Sequence, residues 1–437
     1  MLYNSNVENK RVLKVGYKIM NKVLLGIGLL SIVMAGCSSE SVGPEEWTQY
    51  RMNSENNPVY KDGEFEDLKE SFQTDNEVRA TPVFAENYMF VGNHDSGSLN
   101  AFDMNTGEQI WKSDAPNWIH SEMVYEDGTV FVGYGNRYFN HDVGDPYVRG
   151  SRDSGVMALE AESGEELWNF ETLGHVMTTP VIYNDHIYAI TGDRHLYKID
   201  IESGEQVWNM DMGSYASMSA PALQDGAFYF GGADPFQFYA VDLDTKEVLW
   251  KTSYPDAIAG LDDVPPAIYN NELIYTTALI GDSDHPTQVI YAMDIENGEI
   301  VWEKEMGSGE NVENNKSGAP MIYNDKVFVA SPITQHFYAY DAKTGEELWS
   351  NQNDYIAKAP PVADDGIVYF TDAKGHVFAF DVEDGSLKGV KKLKGTLAPA
   401  GPVIMNEHLI VGSQSSEIYT IPTDDIIGIN EYAEPEE

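Results

Sequence analysis

A short pattern recurs along this chain: a glycine, three residues, then a tryptophan. It occurs at Gly107/Trp111, Gly164/Trp168, Gly204/Trp208, Gly298/Trp302 and Gly345/Trp349, and once with Lys246 in place of glycine before Trp250. Successive tryptophans are 40 to 57 residues apart. Each copy carries the same frame: a Pro-led apolar run, a turn, a second apolar run, a variable turn, then an aromatic-Ala-apolar-Asp stretch and a Gly turn. The apolar runs alternate with period two and are broken every few residues by Gly, Asn or Asp, which excludes a helical repeat. Four short strands in 40–50 residues are the mark of a propeller blade.

Full copies begin near Thr81, Ser121, Thr179, Ala220, Pro265, Ala319 and Pro360, and an eighth near Ala400 has three strands and no fourth. The missing outer strand is assigned to Glu64–Phe72, directly before the first copy. The expected fold is therefore all-β: an eight-bladed propeller of four-stranded antiparallel blades over 61–429, closed by an N-terminal strand joining the C-terminal blade. Closure of this kind removes a free sheet edge. Residues 430–437 read as an acidic tail.

The first 36 residues read as an address. Lys18 and Lys22 precede the apolar run 23–35, which at 13 residues is short for a membrane span. Ala35-Gly36-Cys37 ends it, the layout of a lipoprotein signal with Cys37 as the lipid-bearing residue. Met20 offers an alternative start, which would leave residues 1–19 outside the protein. Residues 37–60 are then a lipidated terminus and tether, and the chain is expected on the extracytoplasmic side of a membrane, at the cell surface or in a periplasm.

Charge and cysteine content narrow the function. There are 71 acidic and 27 basic residues, a net −44. Removal of 1–36 takes five basic residues and one acidic, leaving −48. A phosphate-reading basic face is excluded, so no nucleic-acid partner is expected. Cys37 is the sole cysteine, so neither disulfides nor multi-cysteine metal sites can form within the chain.

The frame resembles the pyrroloquinoline-quinone-type (PQQ-like) propeller repeat, and Trp47-Thr48-Gln49-Tyr50-Arg51 is similar to the opening segment of many members. That family contains eight-bladed quinoprotein alcohol dehydrogenases. It also contains the non-catalytic BamB lipoproteins of the outer-membrane assembly machinery, which this chain resembles more in length, signal and short loops. The resemblance implies that Trp111, Trp168, Trp208, Trp250, Trp302 and Trp349 dock one blade on the next. Many quinoproteins cap their quinone with a vicinal disulfide, which this chain cannot make. No cofactor is expected; PQQ and calcium would be those of the enzyme alternative.

The recurrent Asp103, Asp200, Asp242, Asp294, Asp341 and Asp381 are expected to cap the following turn. No metal or catalytic residue is assigned; Gly281–His285 and Asp262-Asp263 carry hard oxygens without a full cation loop. The long segments are 134–154, 279–289, 252–264 and 304–318, and all fall on one face. In 134–154, Arg137, Tyr138, Tyr147, Arg149 and Arg152 form a positive, aromatic island suited to a protein partner. The expected function is a monomeric, non-catalytic, lipid-anchored scaffold at the cell envelope. A PQQ-dependent dehydrogenase and an extracellular glycan- or ligand-binding propeller are the alternatives.

Overall fold

Seven of the eight first turns are two-residue pairs with both residues at positive φ. They are Asp127-Gly128, Asn184-Asp185, Asp225-Gly226, Asn270-Asn271, Asn324-Asp325, Asp365-Gly366 and Asn406-Glu407. This is the type I′ geometry that matches strand twist, and Asn, Asp and Gly tolerate it best. The computed structural model describes residues 43–63, 68–140, 144–151, 153–313 and 317–432. All lie in one compact unit, Ser41–Glu437.

The strands form eight antiparallel sheets in a ring. Blade six is representative: Met321–Tyr323, Lys326–Ser331, His336–Asp341 and Glu347–Gln352, paired in that order from the axis outward. The second and third strands are buried on nearly every residue, whereas the outer strand is mostly exposed. The core accordingly lies between blades. Phe131 and Val156 of blade two, for example, share a cluster with Ile187 and Tyr197 of blade three.

The eighth blade closes as expected, over a shorter stretch. Val403–Met405, His408–Gly412 and Glu417–Pro422 are joined on the outside by Ser71–Gln73, with Phe72 opposite Ile418. The backbone N–H of Thr420 extends the pairing by donating to the Glu70 carbonyl. Residues 64–67 of the expected strand lie outside the described residues. Phe72 is buried and meets Phe102 of blade one edge-on at 5.4 Å.

The tryptophans do what the repeat implies. Each outer strand that carries one of these tryptophans bulges against the third strand, as between Ala339 and Tyr340 opposite Trp349, and the Trp turns toward the next blade. Nε1 of Trp111, Trp168, Trp250, Trp302 and Trp349 donates to the carbonyl of Ala161, Ile201, Ile295, Ala342 and Val382 respectively. The ring lies on the left-handed turn glycine of that neighbour. A Cβ on Gly385 would sit 2.6 Å from the Trp349 ring, so the spacing reflects a contact between adjacent blades. Lys246 breaks the rule at φ 61, with its Nζ 5.0 Å over the Trp208 ring. Trp208 is only half-buried. Trp349→Ala is therefore expected to cost about 3–5 kcal/mol and Trp208→Ala clearly less. Urea unfolding of both variants checks the order; equal losses would contradict it.

Blade seven has Gly389 at the Trp position. The C-terminal segment fills that place: Gly389 faces the Ile426 carbonyl, and Val390 pairs in parallel with Asn430. Asn430–Tyr432, the described part of the expected acidic tail, is thus packed on a blade.

One expected long loop is mostly strand, and two others are strand in part. Leu273–Gly281 and Pro286–Asp294 form one nine-residue hairpin that absorbs most of 279–289. Ile300–Ser308 continues along it into 304–318, and Ala257–Ala259, from 252–264, pairs with its far end. Leu279 and Ile280 on one strand and Val289 on the other carry apolar residues beyond the ordinary blade length, so the insertion extends the sheet.

Candidate functional site in the axial channel and on the long-loop face

The segment expected to be a tether is part of the ring from Gly43 onward. It circles the short-turn end of the central channel and hydrogen-bonds to each blade in turn. Gly43 and Pro44 pair with Glu86 of blade one, and Trp47 bridges Tyr125 of blade two. The Thr48 carbonyl and Gln49 Oε1 accept from Ile182 and Leu223, and the Ser54 and Glu55 carbonyls from Ile268 and Ile322. Asn57 exchanges two bonds with Ala363, and the Pro58 and Tyr60 carbonyls accept from Ile404 and Asn406. Val59–Tyr60 adds a parallel strand inside blade eight.

Arg51 and Asn56 anchor this clasp. Arg51 is fully buried; its Nε, Nη1 and Nη2 donate to the carbonyls of Asn56, Ala400 and Pro361 at 2.8–3.0 Å. Its backbone N–H donates to Glu122 Oε2. Asn56 Nδ2 donates to Pro266 and Pro320. Arg51, Met52 and Asn56 are left-handed, which coils the segment tightly enough to sit on the axis. The sequence signal was the WTQYR motif itself, whose role as an axial anchor a single sequence does not reveal.

Above the clasp, every crossover delivers one residue to the axis at the same register before its inner strand. Arg79, His120, Met177, Met218, Asp263, Ser317, Lys358 and Pro399 line a cavity of about 50 Å³ floored by Tyr50 and Glu122. Burial, with help from Arg79, pushes the Lys358 ammonium down to about 8, against the pull of Asp263. Burial likewise holds His120 well below the usual imidazole range, and His175 at about 3 with Arg149 adding to it.

Burial pushes the Glu122 carboxyl up to about 7, partly offset by Thr81 and Arg51. Its Oε1 has no hydrogen-bond partner. The folded state holds this proton more tightly than the unfolded chain, whose carboxyl titrates near 4.5. The contribution is complete below about pH 4.5 and is lost as pH rises through 7. Relative to the parent, Glu122→Gln should gain about 3 kcal/mol between pH 4.5 and pH 8. Denaturant midpoints at both ends check this; an identical gap at both would refute it.

The described residues of the insertion 134–154 pair across it, with Phe139 bridging Arg149 and the Asn140 N–H donating to the Val148 carbonyl. Tyr138 and Tyr147 are more than half exposed, and Tyr138 packs edge-on against Trp118. The Arg149 guanidinium is sandwiched between Phe139 and Tyr215, at 4.6 and 4.5 Å, so it props the loop from beneath. Asp145 of this loop binds Arg194 of blade three at 2.7 Å. Arg137 acts electrostatically on His94. Arg152 and Cys37 lie outside the described residues.

The recurrent aspartates cap turns as expected: Asp103, Asp200, Asp242, Asp294, Asp341 and Asp381 each accept from backbone N–H groups two or three residues on. Asp282 does the same for Asp284 and His285. Asp262 is buried, and its carboxyl is pushed well up by burial and by Asp263.

The family described as outer membrane protein assembly factor BamB matches residues 42–146, 140–251, 216–335 and 286–425, nearly the whole ring. The chain belongs to this family. Among curated relatives of this BamB-type propeller, the assembly factor BamB of Shewanella oneidensis is 22% identical over 92% of this chain and 98% of its own. The tetrathionate hydrolase of Acidithiobacillus ferrooxidans is 26% identical over 75% of this chain and 70% of its own. Among solved structures, BamB from Moraxella catarrhalis superposes with a TM-score of 0.62 at 19% identity, covering 81% of this chain and 98% of its own. A quinohemoprotein alcohol dehydrogenase from Comamonas testosteroni also reaches 0.62, at 13% identity, over 90% and 82%. At these identities the structural likeness concerns the fold.

Proposed function

We propose that this chain is a non-catalytic scaffold of the cell envelope, anchored by lipid on Cys37, that holds a protein partner on its long-loop face in the assembly of membrane proteins. The observation that carries this reading is the filled axis. Where a propeller enzyme needs a ligand chamber, this ring is occupied by its own residues 43–60, and the cavity left is about 50 Å³. Small-molecule pockets are roughly 300 Å³ or more. A tricyclic quinone does not fit that space, and the cysteines that cap it in many quinoproteins are absent.

Tyr138, Phe139 and Tyr147 are large exposed aromatics on a hairpin braced by Arg149. Aromatic anchors of this kind dominate protein interfaces. The membrane-protein assembly role follows the BamB relatives.

The tests are direct. Cys37→Ser should move the protein from the membrane to the soluble fraction. A cross-linking map should place the partner on 134–154; contacts confined to the short-turn face would overturn the docking surface. Quinone binding with dye reduction, after addition of PQQ and calcium, would overturn the non-catalytic reading.

A second reading is favoured by one specific feature. Arg79, His120, Asp263 and Lys358 converge at the axial mouth, and burial lowers the proton affinity of Lys358 and His120, as is common at reactive sites. With the tetrathionate hydrolase relative, this supports hydrolysis of a small sulfur oxyanion against Arg79 and Lys358, which also line a neighbouring cavity of about 250 Å³. Tetrathionate turnover that Lys358→Met abolishes would establish it in place of the scaffold.

A further inference from the structure

On the long-loop face of blade one, beside the axial mouth, two carboxylates and an imidazole converge from different parts of the chain. Glu77 comes from the crossover into blade one, and His94 and Asp95 from its second turn. Val78 pairs with Asn93, and the His94 N–H donates to the Glu77 carbonyl, so the two segments are fixed to each other. One donor atom from each of Glu77, His94 and Asp95 lies within 4.8 Å of the others. No blade-packing role accounts for this group, and neither the scaffold nor the hydrolase reading uses it.

The imidazole is built in. The His94 side chain is 8% exposed, its ring lies 4.9 Å from Trp118, and its Nδ1 is 2.6 Å from Asp95 Oδ1. The His120 ring stands edge-on to it at 5.3 Å. A second buried histidine, His175, is close enough to lower the proton affinity of His120, and neither of its ring nitrogens has a hydrogen-bond partner. Asp95 is 56% exposed and gives the site access to solvent.

We propose that Glu77, His94 and Asp95 bind one divalent transition-metal ion. An imidazole with two carboxylates suits zinc or manganese, whereas calcium takes oxygen ligands alone. Positive charge nearby limits the affinity. Arg79 Nε is 3.4 Å from Glu77 Oε2 and shares that carboxylate, and Arg137 acts on His94 from the insertion. The two carboxylates offset these charges.

Because the surface is strongly acidic, the test must separate one built site from diffuse cation binding. The untagged protein is stripped with EDTA and titrated calorimetrically with Zn²⁺, Mn²⁺ and Ca²⁺. One tight equivalent of Zn²⁺ or Mn²⁺ is expected above a weak background, with Ca²⁺ in the background alone. His94→Ala should weaken the tight equivalent by roughly 100-fold or more, and Asp95→Asn by roughly tenfold or more. Asp95→Asn changes an exposed side chain, so a folding defect in His94→Ala would still leave the proposal testable. Mn²⁺ electron paramagnetic resonance should show the same loss. Binding that is unchanged in Asp95→Asn, or matched by Ca²⁺, would overturn the site.

Discussion

Arg51→Ala is expected to destabilise the ring by about 3–5 kcal/mol, as large as any single substitution outside the blade cores. The guanidinium makes three charge-assisted hydrogen bonds to carbonyls of the clasp and of blades seven and eight. Removing it leaves the Pro361 and Ala400 carbonyls buried without this donor, and each such group costs about 1–3 kcal/mol. It also opens a hole at the axis, where a Cβ on Gly401 would lie 2.9 Å from Arg51 Nη1. Arg51→Lys keeps the charge but not the fan of donors, so an intermediate loss is expected. Guanidinium unfolding measures both. A loss below about 1 kcal/mol for Arg51→Ala, the ordinary worth of one neutral hydrogen bond, would show that the clasp rests on the surface of the ring.

This clasp marks where the sequence could be read and where it could not. Blade number, strand order, turn chemistry and tryptophan docking were all legible because each is repeated. A Gly before Trp means little once; recurring against successive blades, it reports a ring on a glycine. The missing fourth strand of the last copy pointed to closure by the same logic. Residues 43–60 occur once, are polar, and have no period of their own. Their structure is dictated by eight inner strands that present backbone N–H groups to them, so tertiary context sets the conformation. The 279–289 segment shows the converse: its apolar alternation was visible, but Asp282-Ser283-Asp284 reads as loop chemistry, and it is a four-residue turn at the tip of a long hairpin.

The axial residues were hidden for a related reason. Arg79, His120, Asp263 and Lys358 are separated from one to the next by 41, 143 and 95 residues, and each occupies one crossover of its own blade. Aligning the blades at the start of the inner strand places all four in one register, three residues before Pro82, Met123, Pro266 and Pro361, which makes them neighbours. Glu77 and His94 meet through a single bridge in one blade, so the repeat gives no hint of them. In the insertion 134–154, the seat of the Arg149 guanidinium between Phe139 and Tyr215 was hidden because Tyr215 comes from a different blade, 66 residues on.

Closure through the chain ends carries the second large effect. Phe72→Ala should lower stability by about 3–5 kcal/mol, because this fully buried ring seals blade eight against blade one. The loss should exceed that of truncating exposed Leu348 or Val301 on other outer strands, which is within about 0.5 kcal/mol. Deleting 68–74 goes further, since it removes the strand paired to Glu417–Pro422 and exposes that edge to other chains. The clasp still binds the inside of blade eight through Val59–Tyr60, so the ring should open at its rim while the axis holds. Hydrogen exchange should then rise first in Glu417–Pro422 and in the neighbouring turn at Gly107, against which Lys69 now packs. Protection unchanged in those segments, with a midpoint equal to the parent's, would mean that the clasp alone closes the propeller.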